Sequence, residues 1–242
     1  MLLYVNGDSH SAGAELYESQ DGKLVSFTED DSKYWNTIGT YEGQVAHPEC
    51  VKLSYGKKLA NMLDAELICD AVSGSSNERI CRTTIDYLNY GFRPDLIIIG
   101  WSTWEREEWE YDGRMWQVNA SGVADDWPDA IKQRYKEWVV NINYDSAMDF
   151  QHLKIWRLHK LLQSEDIDHI FFTCYQEFNP PLQYEWGSHY VEPYDPKYTY
   201  YNWLRDRGFE TVTPTSYHFG ADAHRAWAEF LYSTYVQKVL TK

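Results

Sequence analysis

"LLYVNGDSHS" (residues 2–11) decides the fold. Leu2 to Val5 form a short apolar run, and after Asn6 the chain passes straight into Gly7, Asp8 and Ser9. A run of this length closed by turn residues reads as a buried strand. Gly7, Asp8 and Ser9 then stand at its carboxyl end. That edge is where ligands collect in open α/β sheets, so the next question is whether the rest of the chain builds such a sheet.

Outward from this stretch, strands and helices alternate. "HPECVKLSYGKKLANML" (47–63) has helical spacing through Val51, Leu53, Leu59, Met62 and Leu63, "AELICDAV" (65–72) reads as a strand, and "ERICRTTIDYLNYG" (78–91) as a helix closed by Gly91. "RPDLIIIGW" (93–101) is a continuous apolar run of the kind a parallel strand covered on both faces requires. Region 134–163 is helical, "DHIFFTCYQ" (168–176) is the next buried strand, "FETVTP" (209–214) is a short last strand, and "ADAHRAWAEFLYSTYVQKVL" (221–240) is a terminal amphipathic helix. Right-handed crossovers turn this order into an α/β fold, a three-layer α/β/α sandwich with a central parallel sheet. A chain of 242 residues is expected to be a single domain over 1–242. Long connections at about 17–46, 102–133 and 177–207, rich in Trp, Tyr, Asp and Glu, leave the functional edge as loop insertions. The run "EREEWE" (105–110) within the second reads as a solvated helix face.

Charge narrows the partners. With 37 acidic and 22 basic residues the formal net charge is −15, which repels phosphate backbones and anionic membranes, so neither nucleic acid nor membrane is an expected partner. No basic segment followed by an apolar core opens the chain, and no stretch approaches the roughly 18 apolar residues of a membrane span. The expectation is a cytoplasmic protein, or one assembled into a particle from the cytoplasm. Cys50, Cys69, Cys81 and Cys174 lack paired spacing and read as reduced structural thiols. Acidic clusters at 28–33 and 124–127 lack the spacing of a calcium loop, so neither metal nor cofactor is expected. The 11 Trp and 20 Tyr exceed what a core of this size needs, which places many of them near the surface.

Nucleophilic chemistry at Ser9 would require an imidazole within reach and two or three donors aimed at a developing oxyanion. "GDSHS" is not the nucleophile elbow of α/β-hydrolases, because Ser11 stands where the second glycine belongs. The Ser9 N–H, at the start of a turn or helix, is one donor. His10 adjoins Ser9, but neighbouring side chains at an extended strand end point apart.

The arrangement resembles the SGNH, or GDSL-like, hydrolases. Their nucleophile lies in Gly-Asp-Ser after the first strand of a flavodoxin-like sandwich, here Asp8 and Ser9. Their second block offers a glycine N–H, matched by Gly74 in "AVSGSSNERI" (71–80), and their third reads G-x-N-D, matched by Gly100 with Ser102 in the asparagine position. The last block, Asp-x-x-His with a later histidine, matches "TPTSYHFGADAHRAWAEFL" (213–231), which places the catalytic base at His218 and a structural histidine at His224. Two departures stand out: Thr215 replaces the block's acid, and the oxyanion asparagine is missing. Asn77, or the hydroxyl of Ser102 or Thr103, is the candidate substitute donor, and Asp222 the candidate acid.

The resemblance implies a serine esterase acting through an acyl-enzyme at Ser9. Aromatic loops direct the substrate towards an acyl, most simply acetyl, ester of a carbohydrate, with Trp101, Trp104, Trp109 and Arg106 as substrate-binding residues. The alternatives are a catalytically impaired glycan-binding or structural module on the same fold, or an O-acyltransferase using the same serine.

Overall fold

The computed structural model describes residues 1–16, 46–120 and 122–241. The insertion expected at about 17–46, with its acidic cluster at 28–33, lies almost wholly outside the described residues. Strand β1 (Leu2–Gly7) runs into a one-turn helix α1 (Ser9–Ala12). Helices α2 (Pro48–Leu53) and α3 (Tyr55–Met62) lead to β2 (Glu66–Cys69), and α4 (Asn77–Asn89) leads to β3 (Leu96–Trp101). After a hairpin, β4 (Glu107–Tyr111) and β5 (Arg114–Val118), come α5 (Asp129–Val139), α6 (Tyr144–Ser164) and β6 (His169–Thr173). Helix α7 (Tyr200–Arg205) and α8 (Ala221–Leu231) follow, the latter continued by a π-helical turn, Tyr232–Val236, into Gln237–Leu240.

The central sheet has the order β2-β1-β3-β6 and is parallel throughout. Alternation along its strands builds two cores. Leu3, Val5, Leu96, Ile98, Ile170 and Phe172 face Tyr55 and Leu59 of α3 and Trp227 and Leu231 of α8. Tyr4, Ile97, Ile99 and Phe171 face Ile80 of α4 and Ile155 and Leu158 of α6. Both faces are therefore dry, which is why these strands read as unbroken apolar runs. The result is the expected α/β fold, a parallel sheet between two helical layers.

Three local expectations are corrected. The 47–63 helix is interrupted at Ser54, whose hydroxyl accepts the Lys57 N–H at 3.3 Å and so caps α3. "FETVTP" forms no strand, only a bridge between Thr211 and Phe219. The outer edge of β6 is met by Tyr190, and the Val191 N–H donates to the Phe171 carbonyl at 2.8 Å. Finally, "EREEWE" is no helix face: its last four residues open the strand β4. Asp112 (φ 52°) and Gly113 (φ 70°) make a two-residue left-handed turn, the type I′ geometry that matches hairpin twist. Trp109 packs with Val118, Ile131 and Tyr135 in a third small core. The hairpin is pinned to α4 by a fork in which Arg82 Nε and Nη2 donate to Glu108 at 2.8 and 2.7 Å.

Among the described residues no helix is long and apolar enough to cross a membrane. None of the four cysteines forms a disulfide.

Candidate functional site

Two glycines let α1 fold directly onto the sheet edge. Gly7 has φ 151°, and a Cβ there would run into Ser11 and lie 2.7 Å from the Gly100 carbonyl oxygen. At Gly100 a Cβ would lie 2.6 Å from Ser11 Oγ and 2.7 Å from Phe172 Cζ. Ser11, which occupies that space, is held by the Tyr55 hydroxyl at 2.8 Å. The serine that breaks the nucleophile-elbow pattern is thus the residue that seats the first helix. It fixes Ser9 at the helix start, 9% exposed.

Asp8 is wholly buried and joins three strand ends. Its Oδ1 accepts the His10 N–H at 3.1 Å, capping α1, and faces the Cys174 thiol at 3.6 Å. Its Oδ2 accepts the Ser102 hydroxyl at 3.1 Å and Arg106 Nη1 at 3.3 Å. Burial first, and the neighbouring carboxylate second, push the Cys174 thiol far above its ordinary range, so the sulfur is protonated and donates.

The expected oxyanion side chains are committed elsewhere. Asn77 Nδ2 donates to the Ser102 carbonyl at 3.3 Å, and Asn77 Oδ1 accepts the Ser102 N–H at 2.8 Å. Asn77 therefore clasps the loop after β2 to the end of β3. Ser102 Oγ lies between Asp8 and Arg106 Nη1, the latter at 2.7 Å. Gly74, at φ 80°, turns the chain after β2 in a conformation that a side chain would oppose.

The carboxylate nearest His218 comes from a distant part of the chain. Glu15 Oε2 lies 3.3 Å from His218 Nδ1, within ion-pair distance but not aligned as a hydrogen bond. The same oxygen accepts the Ser216 hydroxyl, which in turn accepts the His218 N–H at 2.9 Å. Glu15 follows the left-handed Gly13 that ends α1 and is itself at φ 65°. Among the described residues Thr215 hydrogen-bonds Thr213, at 3.4 Å, and Asp222 Oδ1 accepts the Ala223 N–H at 2.9 Å inside its own helix. Neither takes the acid's place. Sequence reasoning missed Glu15 because block spacing looks near the histidine, whereas this carboxylate is brought by the tertiary fold.

His10 and His224 are both buried, and burial lowers each pKa to about 3. Ser9 and His10 are successive helical residues, so their side chains diverge by the helix rotation and not by strand alternation. The His10 ring packs among Tyr175, Tyr200 and His218, with centroids 4.8, 5.2 and 5.1 Å away. His224 accepts the Tyr55 N–H at 3.1 Å and contacts the Tyr200 hydroxyl at 3.1 Å, tying α8 to α3 and α7.

The tryptophans expected to bind substrate are core residues. Trp101 is fully buried, edge-on to Phe171 at 5.2 Å. Trp104 stacks on Phe178 at 4.6 Å, and Trp109, 2% exposed, lies beneath the Arg134 guanidinium at 4.0 Å. The physical reason is twofold: Trp101 and Trp104 complete the sheet core with Phe171 and the α6 residues Ile155 and Leu158, and Trp109 fills the separate apolar interior of the hairpin and α5. The exposed aromatic beside His218 is instead Tyr217, 66% exposed, which meets Tyr175 at 6.4 Å. Tyr201 lies 5.4 Å from Tyr175.

Fold and site together define a three-layer α/β/α protein with a serine at the first strand's carboxyl end and a carboxylate–imidazole pair alongside. The chain belongs to the family of unknown function DUF6071, whose model matches residues 42–176, more than half of its length. No curated protein matches it. Among solved structures it is similar to the psychrotrophic esterase EstA from Pseudoalteromonas sp., at 12% identity and TM-score 0.46, covering 100% of this chain and 99% of that one. It is also similar to a Corynascus thermopiles (Myceliophthora fergusii) carbohydrate esterase family 2 enzyme with its carbohydrate binding domain, at 15% identity and TM-score 0.44, covering 98% of this chain and 66% of that one. An acetyl xylan esterase, AlAXEase, shows 12% identity and TM-score 0.38, with 98% and 100% covered.

Proposed function

We propose that this chain is a serine ester hydrolase of SGNH type, with Ser9 as nucleophile, His218 as base and Glu15 as the carboxylate that stabilises the charged form of that base. The observation that carries the reading is the Glu15–His218 pair. It sets a carboxylate beside the histidine whose block lacks one, where the His218 ring packs against α1.

Ser9 Oγ attacks the ester carbonyl carbon while its proton passes to His218 Nε2, and the carbonyl π pair becomes an oxyanion. The N–H groups of Ser9 and Gly74 are the backbone donors for that charge. Collapse expels the alcohol, which takes the proton from His218, and leaves an acyl-Ser9 ester. Water repeats the sequence and releases the acid. Glu15 stabilises imidazolium by its charge, without taking the proton.

A small acyl group, acetyl in the simplest case, suits a serine that is 9% exposed. For the alcohol side we propose a carbohydrate, supported by the tyrosine face of Tyr175, Tyr201 and Tyr217 in place of the buried tryptophans. The engagement of Asn77 and Ser102 favours a second reading, a glycan-binding module without turnover. Both are tested by a fluorophosphonate probe with peptide mass spectrometry, beside hydrolysis of 4-nitrophenyl acetate by wild type and Ser9→Ala. Labelling at Ser9 and loss of turnover in a folded alanine variant are expected. An unlabelled, inactive wild type that binds acetylated oligosaccharide would establish the module instead.

A further inference from the structure

Arg106 stands where the three strand-end loops converge. Its Nη1 lies 2.7 Å from Ser102 Oγ, 3.3 Å from Asp8 Oδ2 and 3.5 Å from the Ser75 carbonyl, next to Gly74. Its side chain is 20% exposed, whereas that of Asp8 is fully buried. A guanidinium carries five N–H donors in a planar fork. The three contacts above all fall on Nη1, and among the described residues no acceptor takes Nε or Nη2. Asp8 is also served by the Ser102 hydroxyl, the His10 N–H and the Cys174 thiol, so its charge does not occupy the whole fork.

We propose, resting on the reading of Ser9 as nucleophile, that Arg106 is the catalytic oxyanion donor that replaces the missing asparagine. The asparagine position, Ser102, is used to hold the guanidinium in place through Nη1. The rest of the fork, Nη2 and Nε, is then left to donate to the oxygen that gains charge as Ser9 Oγ bonds to the acyl carbon. When the tetrahedral adduct collapses, the electron pair returns to the carbonyl and the alkoxide leaves with the proton from His218. A fixed cation stabilises this charge more than a neutral amide does, and it favours the transition state over the uncharged ester. A purely structural role would need only a positive charge beside Asp8.

Lysine separates the two roles, because Arg106→Lys keeps a cation for Asp8 and removes the fork. Steady-state hydrolysis of 4-nitrophenyl acetate should show kcat lowered by about a hundredfold in Arg106→Lys and at least as much in Arg106→Gln. KM should stay within about twofold, since the ground-state ester makes little use of the donor. Guanidinium chloride at sub-denaturing concentration should restore part of the kcat of Arg106→Ala. If Arg106→Gln fails to fold because Asp8 is left uncompensated, the Asp8→Asn/Arg106→Gln double variant removes that charge and is read in the same assay. Wild-type kcat in Arg106→Lys overturns the assignment and leaves Arg106 as the counter-ion of Asp8. A loss confined to esters whose acyl group carries a carboxylate also overturns it. A wild type that neither turns over nor is phosphonylated at Ser9 overturns the nucleophile itself, a different result from an active enzyme indifferent to position 106.

Discussion

Glu15→Gln removes one charge and keeps the shape of the side chain, so it isolates what the carboxylate does for His218. At the observed 3.3 Å the attraction between carboxylate and imidazolium is about 5 kcal/mol at an effective dielectric constant of about 20 and about 1.3 kcal/mol in bulk water. The Glu15 side chain is 39% exposed and that of His218 20%, so solvent screening brings the value towards the lower figure. A loss of about 1.4 to 2.7 kcal/mol in transition-state stabilisation corresponds to a kcat lowered about 10- to 100-fold. That is well short of the roughly 10⁴-fold loss known for a fully buried triad acid. The measurement is kcat and KM for 4-nitrophenyl acetate near neutral pH, with thermal unfolding as a control for the fold. Added salt gives a second signature, because wild-type kcat should fall as the pair is screened while the glutamine variant stays level. A folded Glu15→Gln enzyme with kcat within about twofold of wild type would refute the assignment.

Acid should destabilise the fold through the buried histidines. His10 and His224 have folded pKa values of about 3 against roughly 6.5 in the unfolded chain. Between those values the unfolded state binds more protons, so stability is intact above about pH 6.5 and falls as pH drops, by up to about 1.4 kcal/mol per unit for each histidine. Urea midpoints across pH 7 to 4 check this, and a flat profile contradicts it. Gly100→Ala should cost about 1–3 kcal/mol through the clash with Ser11 and Phe172, with esterase activity lost alongside as α1 shifts; unchanged melting would show that the edge has slack. Trp109→Ala should cost about 3–5 kcal/mol by emptying the hairpin core, while kcat/KM per folded molecule for the small ester is retained. An activity loss without a stability loss would return Trp109 to the site.

The layers of the fold were legible because burial on both sheet faces leaves a plain mark, as in Leu96 to Ile99 and His169 to Phe172. Local chemistry was legible only where it followed from position along a strand. The hairpin had its own signal, Asp112-Gly113 between alternating residues, but the surrounding glutamates hid it, since Glu108 is drawn inward by Arg82. Trp101, Trp104 and Trp109 were read as surface rings because a long connection was assumed to lack an interior. Glu15 left no trace in the sequence. Its partnership with a histidine 203 residues away (218 minus 15) exists only once β1 and the loop before α8 meet at one edge.

With the role proposed for Glu15, its left-handed backbone sets stability against chemistry at a single position. A residue with a Cβ at φ 65° is held in a conformation that costs roughly 1 kcal/mol or more and that glycine adopts freely. For the fold alone, glycine or asparagine is the better occupant, and random substitution screened only for thermal resistance should drift towards them. Under that selection the protein would become harder to unfold as it lost its carboxylate. A line of variants bred for stability would converge on a sturdier shell with an unsupported histidine, and tolerance of glycine at position 15 is thus a record of which demand the chain has been answering.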